Sequence, residues 1–313
     1  MPLRPFSSSA AFSKMTALAQ HVLVALDGSS HDRFLLQQAA RWMDCFPGTL
    51  LFLLHVMEEE VILPALVESL GEHHAIPSAQ ALEEKMLKQA QALLGEHPFQ
   101  LEVRSGKNFN LIMKAVQDWG IELLFLGLKN HREGSGLVSH RLANQSPCSL
   151  FLVSPKLPLA WHRILVATDF SAHSERAMVQ ARALASCHGA QVSALHYYHV
   201  PSGYLKNAGS HRELMALIEE QSAREKDLAG EAHRQTSCFF RENRGQSEAD
   251  TLQWAGENAI DLLVLGSKGR TAATAALLGS FAEKLFRLNK DQSLLLVKAP
   301  HENLGLLKAL GWA

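Results

Sequence analysis

Short apolar runs rich in Val, Ile and Leu alternate along the chain with longer stretches of helical periodicity. Such runs are typical of parallel strands buried on both faces, and the longer stretches are typical of the helices that cover the sheet. The pattern predicts strands near 163–168, 191–197, 236–241, 261–265 and 293–298, and helices near 172–187, 211–233, 247–258 and 279–288. We therefore expect an α/β fold with a doubly wound, parallel, five-stranded sheet.

The pattern occurs twice. The segment HVLVALDGSSHDRFLLQQAARWMDC at 21–45 aligns without a gap with RILVATDFSAHSERAMVQARALASC at 163–187, so that Asp27 meets Asp169 and Cys45 meets Cys187. The later apolar runs GIELLFLG and AIDLLVLG also match. Two tandem copies of one domain are predicted, at 20–155 and 160–300, followed by a tail at 301–313. The prolines of SPKLPLAW mark the junction.

Composition narrows the class of protein. The chain has 313 residues, of which 47% are hydrophobic and 19% are charged, and its formal net charge is -1. It therefore has enough apolar material for well-packed domains, and no basic block or long apolar run indicates a nucleic-acid or membrane partner.

The cysteines and the N-terminal segment bear on location. The four cysteines lie far apart in the sequence, at Cys45, Cys148, Cys187 and Cys238, and form no C-x-x-C motif. This spacing argues against a structural zinc site or a disulfide framework. Segment 1–20 is a poor secretory signal, and Met15 is an alternative start to Met1. We expect a cytoplasmic protein; a transit peptide is the alternative interpretation.

A glycine-rich stretch, GSKGRTAATAALLGS at 266–280, follows the predicted strand that ends at Leu265. Glycines after a strand and before a helix expose backbone N–H groups at the positive end of a helix dipole, which suits a phosphate. The spacing is neither a P-loop nor a dinucleotide fingerprint, and a flexible connection remains the alternative.

Two further strand ends are candidates, because ligands of such sheets bind beyond the carboxyl ends of the strands. They carry Asp169 and Tyr197. Asp169 can be a ligand of a base or ribose, or simply a helix cap.

At these residues the chain resembles the universal stress proteins, in their tandem two-domain form. The resemblance rests on VALDGS, VATDFS, LLHV, IELLFLG, IDLLVLG and GSKGR followed by LLGS, and it covers nearly the whole chain. It implies ATP, with Mg²⁺ on the phosphates, as the ligand of the second domain. Gly266, Gly269, Gly279 and Ser280 would hold the triphosphate, and Asp169 and Tyr197 the adenosine. The full implied site is Thr168, Asp169, Tyr197, Gly266, Gly269, Arg270, Gly279, Ser280 and Phe281.

The resemblance also implies an intrachain pseudo-dimer, in which the last strands of the two copies, 149–153 and 293–297, pair with each other. A homodimer of the chain is a further expectation.

The second copy departs from the family pattern at two positions. Tyr197 stands where a small aliphatic residue is usual, so its ring could stack on adenine or fill the adenine slot. Ala282 replaces a frequent hydroxyl residue, which predicts weaker affinity.

The first copy departs further. Eight residues separate Gly127 from Gly136, against twelve between Gly266 and Gly279, and Asn130 and Leu137 replace a glycine and a serine. We expect no triphosphate there. Lys129, His131 and Arg132 in this loop could hold a smaller anion or simply face solvent.

Other chemistry has weaker support. The equivalent residues His55 and His196 are interpreted as structural, and GEHHAIP at 71–77 makes a poor metal site. No Ser/His/Asp or Cys/His set has a usable spacing, so we expect no efficient hydrolase and assign no catalytic residue. The sequence predicts a nucleotide-dependent stress regulator. A nucleotide-independent interaction module or binder of another small ligand is the alternative, and a slow ATPase or autokinase is the third hypothesis.

Overall fold

The computed structural model describes residues 19–57, 79–128, 136–199, 211–269 and 278–299. The first domain contains β1 His21–Leu26, α1 Asp32–Cys45, β2 Leu50–Met57, α2 Ala79–Leu94, β3 Phe99–Ser105, α3 Asn108–Asp118, β4 Leu123–Gly127, α4 Leu137–Gln145 and β5 Ser149–Val153. The second contains β6 Arg163–Thr168, α5 Ala172–His188, β7 Gln191–Tyr198, α6 His211–Leu228, α7 Glu231–Arg234, β8 Ser237–Glu242, α8 Ser247–Glu257, β9 Leu262–Gly266, α9 Ser280–Leu288 and β10 Ser293–Val297. Across these ranges, no helix is both long and apolar enough to cross a membrane.

All ten strands form one sheet in the order β3-β2-β1-β4-β5-β10-β9-β6-β7-β8. Within each half the neighbouring strands are parallel. The α/β class with two tandem domains is therefore confirmed. In each half the strand order reverses beside the first strand, which opens a crevice at the carboxyl ends of β1 and β4 and of β6 and β9.

The two halves meet through β5 and β10, which pair in the antiparallel direction. Leu150 lies opposite Leu296, and Phe151 opposite Leu295. This pairing of the last strands is the one that the family resemblance implied. Both strands are fully buried, so the seam protects two apolar edges that would otherwise invite aggregation.

Helices cover both faces of the sheet, and each face has its own hydrophobic cluster. Val22 and Val24 of β1 point into one cluster, whereas Leu23 between them points into the other. Each cluster contains buried residues of both domains. From β6 of the second domain, Ile164 joins the cluster of Val22 and Val24, and Leu165 joins the cluster of Leu23. The domains therefore share a continuous core on each side of the sheet.

The predicted helix at 211–233 is observed as two helices, α6 and α7. The interruption falls at Gly230, which is the N-cap of α7 and packs against the side chain of Glu175. The backbone N–H of Ala232 donates to Glu175 Oε1 at 3.1 Å. A carboxylate from a distant helix thus takes up a helix-terminal N–H, a contact that local periodicity does not reveal.

The expectation that the cysteines form no disulfide is wrong for one pair. Cys45, at the end of α1, and Cys187, near the end of α5, are joined, and their Cα atoms lie 5.6 Å apart. Cys148 and Cys238 are free. The separation of 142 residues does not prevent the bond, because the seam between the domains brings the equivalent ends of the two helices together.

Candidate functional site

A cavity of about 860 Å³ lies at the carboxyl ends of β6, β7 and β9, within the usual size range of small-molecule sites. Eight of the predicted site residues line it: Thr168, Asp169, Tyr197, Gly266, Gly269, Gly279, Ser280 and Phe281. Arg270 lies outside the described residues. The fold therefore gathers into one cavity residues that are more than 100 positions apart in the sequence.

Asp169 follows β6 and turns the chain toward α5. Its Oδ1 accepts a hydrogen bond from the backbone N–H of Ser171 at 3.0 Å. Ser171 is the N-cap of α5, and its hydroxyl oxygen accepts from the N–H of Ser174 at 3.3 Å. The helix cap is therefore Ser171, and the alternative interpretation of Asp169 as the cap is wrong.

Gly266 and Gly269, at and after the end of β9, are each required by a different close contact. A Cβ on Gly266 would lie 2.7 Å from the carbonyl carbon of His173, so this glycine lets the first turn of α5 pack against the strand end. A Cβ on Gly269 would lie 2.8 Å from Asp169 Oδ2. Of these two glycines, only Gly269 lies against a polar group that lines the cavity, the carboxylate of Asp169.

The two ends of the glycine-rich loop lie against each other. The backbone N–H of Gly279 donates to the carbonyl of Ser267 at 2.7 Å. A Cβ on Gly279 would come within 3.4 Å of the backbone nitrogen of Gly269. Residues 270–277, which join these ends, lie outside the described part of the chain.

Helix α9 begins at this junction. Gly279 is its N-cap and makes no side-chain cap, so Ser280 occupies the first helical position. The first N–H groups of a helix have no partner within the helix and carry partial positive charge. Because Ser280 and Phe281 line the cavity, the positive end of α9 borders it.

Tyr197 lies at the wall of the cavity. Its ring packs against the hydrophobic cluster on one face of the sheet, and its hydroxyl lies 3.4 Å from Thr251 Oγ1 of α8. Burial raises the pKa of the phenol, so Tyr197 stays neutral at physiological pH. A large cavity remains beside this ring.

Helix α6 supplies lining residues that sequence reasoning missed. Ile218, Gln221, Ser222 and Glu225 border the cavity together with Lys268 at its glycine-rich side. These four positions of α6 share one face at helical spacing, which is the signal that could have identified them.

The structure also joins a hydroxyl, an imidazole and a carboxylate that sequence spacing did not reveal. Thr168 Oγ1 lies 2.7 Å from His233 Nε2, and His233 Nδ1 contacts Glu175 Oε2. Thr168 donates its own proton to Ser174 Oγ at 3.1 Å, and Ser174 in turn donates to a backbone carbonyl. Because the Thr168 proton is directed to Ser174 and not to His233, the set anchors the strand end and is not arranged as a nucleophile with its base.

The corresponding turn in the first domain is built differently. Asp32 takes the position of Ser174 and accepts the backbone N–H groups of Asp27 at 3.0 Å and Gly28 at 2.8 Å. Burial, more than the neighbouring Asp27 charge, raises the pKa of Asp32 to about 6. A carboxylate thus replaces the hydroxyl pair that forms this corner in the second domain.

The glycine-loop ends of the two domains also differ. Gly136 has a left-handed backbone with φ 63°, whereas Gly279 is extended with φ -75°. Leu137, which follows Gly136, is 65% exposed. The rest of that loop, with Lys129, Asn130, His131 and Arg132, lies outside the described residues, as do the 71–77 segment and the tail at 301–313.

The equivalent strand histidines make equivalent contacts. His55 Nδ1 lies 3.0 Å from the carbonyl of Leu26, and His196 Nδ1 lies 2.9 Å from that of Thr168. Each ring bridges two neighbouring strands at their ends, which fits the structural role that was expected.

Comparison with known proteins agrees with this architecture. The model of the universal stress protein family matches twice, at residues 19–154 and 160–294. A universal stress protein of Thermus aquaticus, named for its position 3' of the QAH/OAS sulfhydrylase, is 31% identical over 123 residues, which cover 39% of this chain and 88% of that protein.

Solved structures show the same fold over at least nine-tenths of the chain. One is a protein of Pseudomonas aeruginosa UCBPP-PA14 whose assignment as a universal stress protein is provisional. It has a TM-score of 0.64 at 16% identity, and the alignment covers 95% of this chain and 99% of that protein. A universal stress protein of Archaeoglobus fulgidus has a TM-score of 0.57 at 15% identity, with 90% and 97% covered. The two matches of the family model, which together cover most of the chain, show that it belongs to the universal stress protein family and carries two such domains in tandem.

Proposed function

We propose that the second domain, at 160–300, binds ATP and that the chain acts as a nucleotide-dependent regulator in a stress response. One observation carries this proposal: both ends of the glycine-rich loop, the N-terminus of α9 and Asp169 meet at a single large cavity. The cavity lies where the strand order reverses, which is where sheets of this type bind their ligands.

The lining suggests how the nucleotide would lie. The phosphates would approach the first turn of α9 at Ser280 and the backbone at Gly269, where a helix dipole favours anions. Lys268 adds a cationic side chain on the same side. The adenosine would then lie toward Asp169 and Tyr197, at the ends of β6 and β7.

Mg²⁺ would be held mainly by the phosphate oxygens and water. Within the described ranges, no cluster of three carboxylate or imidazole ligands borders this cavity. Magnesium commonly binds through one or two carboxylates plus substrate phosphates, so the lining is compatible with an ion that arrives with the nucleotide.

A nucleotide-independent module remains the second candidate. The observation that favours it is Gly266, which the packing of His173 explains without any ligand. Under this alternative the cavity takes another small molecule, whereas under the ATP proposal the first domain serves as a structural or regulatory partner.

The cellular location of the chain and its assembly into a homodimer remain proposals. The expected cytoplasmic location rested partly on the absence of a cysteine pair, and the Cys45–Cys187 disulfide removes that ground. A homodimer, and the absence of nucleic-acid and membrane partners, are expectations from the sequence.

The repeat supplies a matched experiment. Mass spectrometry of the small molecules released from heat-denatured protein identifies what copurifies, and calorimetry measures ATP binding to the stripped chain. Asp169→Ala should weaken ATP binding at least tenfold, whereas Asp27→Ala, at the equivalent position of the first domain, should leave it unchanged. No ATP binding, or equal losses from the two variants, contradicts the proposal.

A further inference from the structure

The disulfide occupies a special place in the tandem fold. Cys45 and Cys187 are equivalent residues of the two repeats, so the bond lies on the approximate two-fold axis that relates the domains. It joins α1 of the first domain to α5 of the second. Cys187 is exposed and Cys45 is half-buried. One sulfur is therefore open to small molecules from solvent, while the other is partly shielded.

An imidazole accompanies the pair. His188 Nε2 lies 3.7 Å from Cys45 Sγ, and the three ligand-type atoms of Cys45, Cys187 and His188 lie within 4.8 Å of one another. The His188 ring stacks on Trp161 with centroids 3.9 Å apart and planes 4° apart, which fixes its orientation. Burial, with a smaller contribution from Arg41, lowers the pKa of His188 to about 4. The imidazole is thus neutral at physiological pH and a weak base, and its Nε2 is placed to accept a hydrogen bond from the Cys45 thiol without taking the proton.

We propose that Cys45 and Cys187 form a redox-responsive dithiol site, which a peroxide closes into the interdomain disulfide and a small thiol reopens. The exposed Cys187 thiolate attacks a peroxide oxygen, the O–O bond breaks, and Cys187 becomes a sulfenic acid with release of water. The Cys45 sulfur then attacks the Cys187 sulfur, the S–O bond breaks, and the thiol proton of Cys45 joins the leaving hydroxide, so that a second water is released. The two sulfurs supply the two electrons that reduce the peroxide.

Reduction uses the same asymmetry. A small thiolate attacks the exposed Cys187 sulfur, the S–S bond breaks, and Cys45 leaves as a thiolate that takes up a proton from solvent. A second thiol then releases Cys187. The two other cysteines do not take part, since burial raises the thiol pKa of Cys148 and raises that of Cys238 to about 12.

The domains do not depend on this bond to stay together. The β5–β10 pairing and the two shared hydrophobic clusters hold them in the reduced chain as well. Opening the disulfide therefore releases only the tie between α1 and α5. This is the arrangement expected of a reversible switch, in contrast to a disulfide that is required for folding.

The test uses the full chain and hydrogen peroxide followed by reduced glutathione. Differential alkylation with two reagents of different mass, read by peptide mapping, reports each cysteine. Cys45 and Cys187 should become protected together after peroxide and reactive together after glutathione, while Cys148 stays reduced throughout. Thiols that remain free after peroxide, or a bond that glutathione at millimolar concentration does not open, would overturn the proposal.

Two variant pairs sharpen the result. Oxidised wild type should melt roughly 5–10 °C above the reduced form, because the bond closes a loop of 142 residues. Cys238→Ser should keep this difference and Cys187→Ser should lose it. His188→Gln should slow closure about tenfold relative to His162→Gln, since it removes the stacked ring that holds the Cys45 thiol in place. Equal rates of disulfide closure in the two histidine variants would show that His188 has no part in the reaction.

Discussion

Asp169 and Gly269 face each other so closely that a Cβ on the glycine would lie 2.8 Å from the carboxylate Oδ2. Asp169 lies in the turn after β6 and Gly269 in the loop after β9, so the two residues are 100 positions apart in the chain. The carboxylate therefore occupies the space that any other residue at position 269 would need. This contact joins the turn proposed to hold adenosine to the loop proposed to hold phosphate.

Gly269→Val should reduce ATP affinity at least tenfold, because the branched side chain displaces Asp169 and covers the backbone N–H groups of the loop. Calorimetry with ATP measures the loss. Gly256→Val is the matched control, since nothing lies within 4 Å of a Cβ there. If both variants bind ATP like the wild type, the close approach at Gly269 has no part in ligand binding.

His233→Gln should destabilise the second domain by about 2–4 kcal/mol. The imidazole is 1% exposed and contacts both Thr168 Oγ1 and Glu175, so its loss removes two polar contacts and the packing of the ring from a buried site. Urea unfolding provides the measurement. His199→Gln, at an exposed position of the same domain, should change the free energy of unfolding by less than about 0.5 kcal/mol.

The fold was largely predictable because its signals are local. The strand predicted at 163–168 is observed as Arg163–Thr168, and the repeat alone implied the second set of elements. The helix break at Gly230 was missed, since it depends on Glu175, which lies 55 residues away. Periodicity within a helix carries no information about a side chain that arrives from another helix.

Of the site, only the residues at the ends of strands could be predicted from the sequence. Asp169 and Gly266 could be placed because parallel strands bring their carboxyl ends to one edge. The Thr168–His233–Glu175 set and the Cys45–Cys187 bond needed the tertiary packing. For the cysteines a signal did exist: equivalent residues of two repeats related by a two-fold axis meet wherever they lie near that axis.

Lys298 should give the protein a characteristic dependence on pH. Its ammonium is buried in the seam and donates to the carbonyls of Ala143 at 2.5 Å and Ser146 at 2.7 Å, at the end of α4. Burial lowers its pKa from 10.5 to about 8. Between these values the unfolded chain binds more protons than the folded one, so the free energy of unfolding should rise with pH, by about 3 kcal/mol in total.

Urea unfolding of wild type and Lys298→Met from pH 7 to 11 isolates this contribution, because the other titrating groups are common to both chains. The difference in free energy of unfolding should be constant below pH 8 and grow in favour of the wild type up to pH 10.5. A difference that does not change with pH would show that Lys298 titrates alike in both states.

Ser280→Ala should weaken ATP binding by roughly 1–3 kcal/mol, the range for a hydrogen bond to a charged group, and leave adenosine binding nearly unchanged. Ser280 is the first residue of α9 and lines the cavity, so its hydroxyl and its N–H can both reach a phosphate oxygen. Alanine removes the hydroxyl and keeps the N–H and the helix dipole. Part of the affinity should therefore survive, as calorimetry with the two ligands would show.

The same variant separates a phosphate contact from a role in folding. Gly279 is the N-cap and makes no side-chain cap, so Ser280→Ala should change the melting temperature little. A cap residue would instead cost about 0.5–2 kcal/mol of stability and affect both ligands alike. Leu137→Ala, at the first position of α4 in the other repeat, is the control and should alter neither ligand. Equal losses of ATP and adenosine in Ser280→Ala would exclude the phosphate role of this serine.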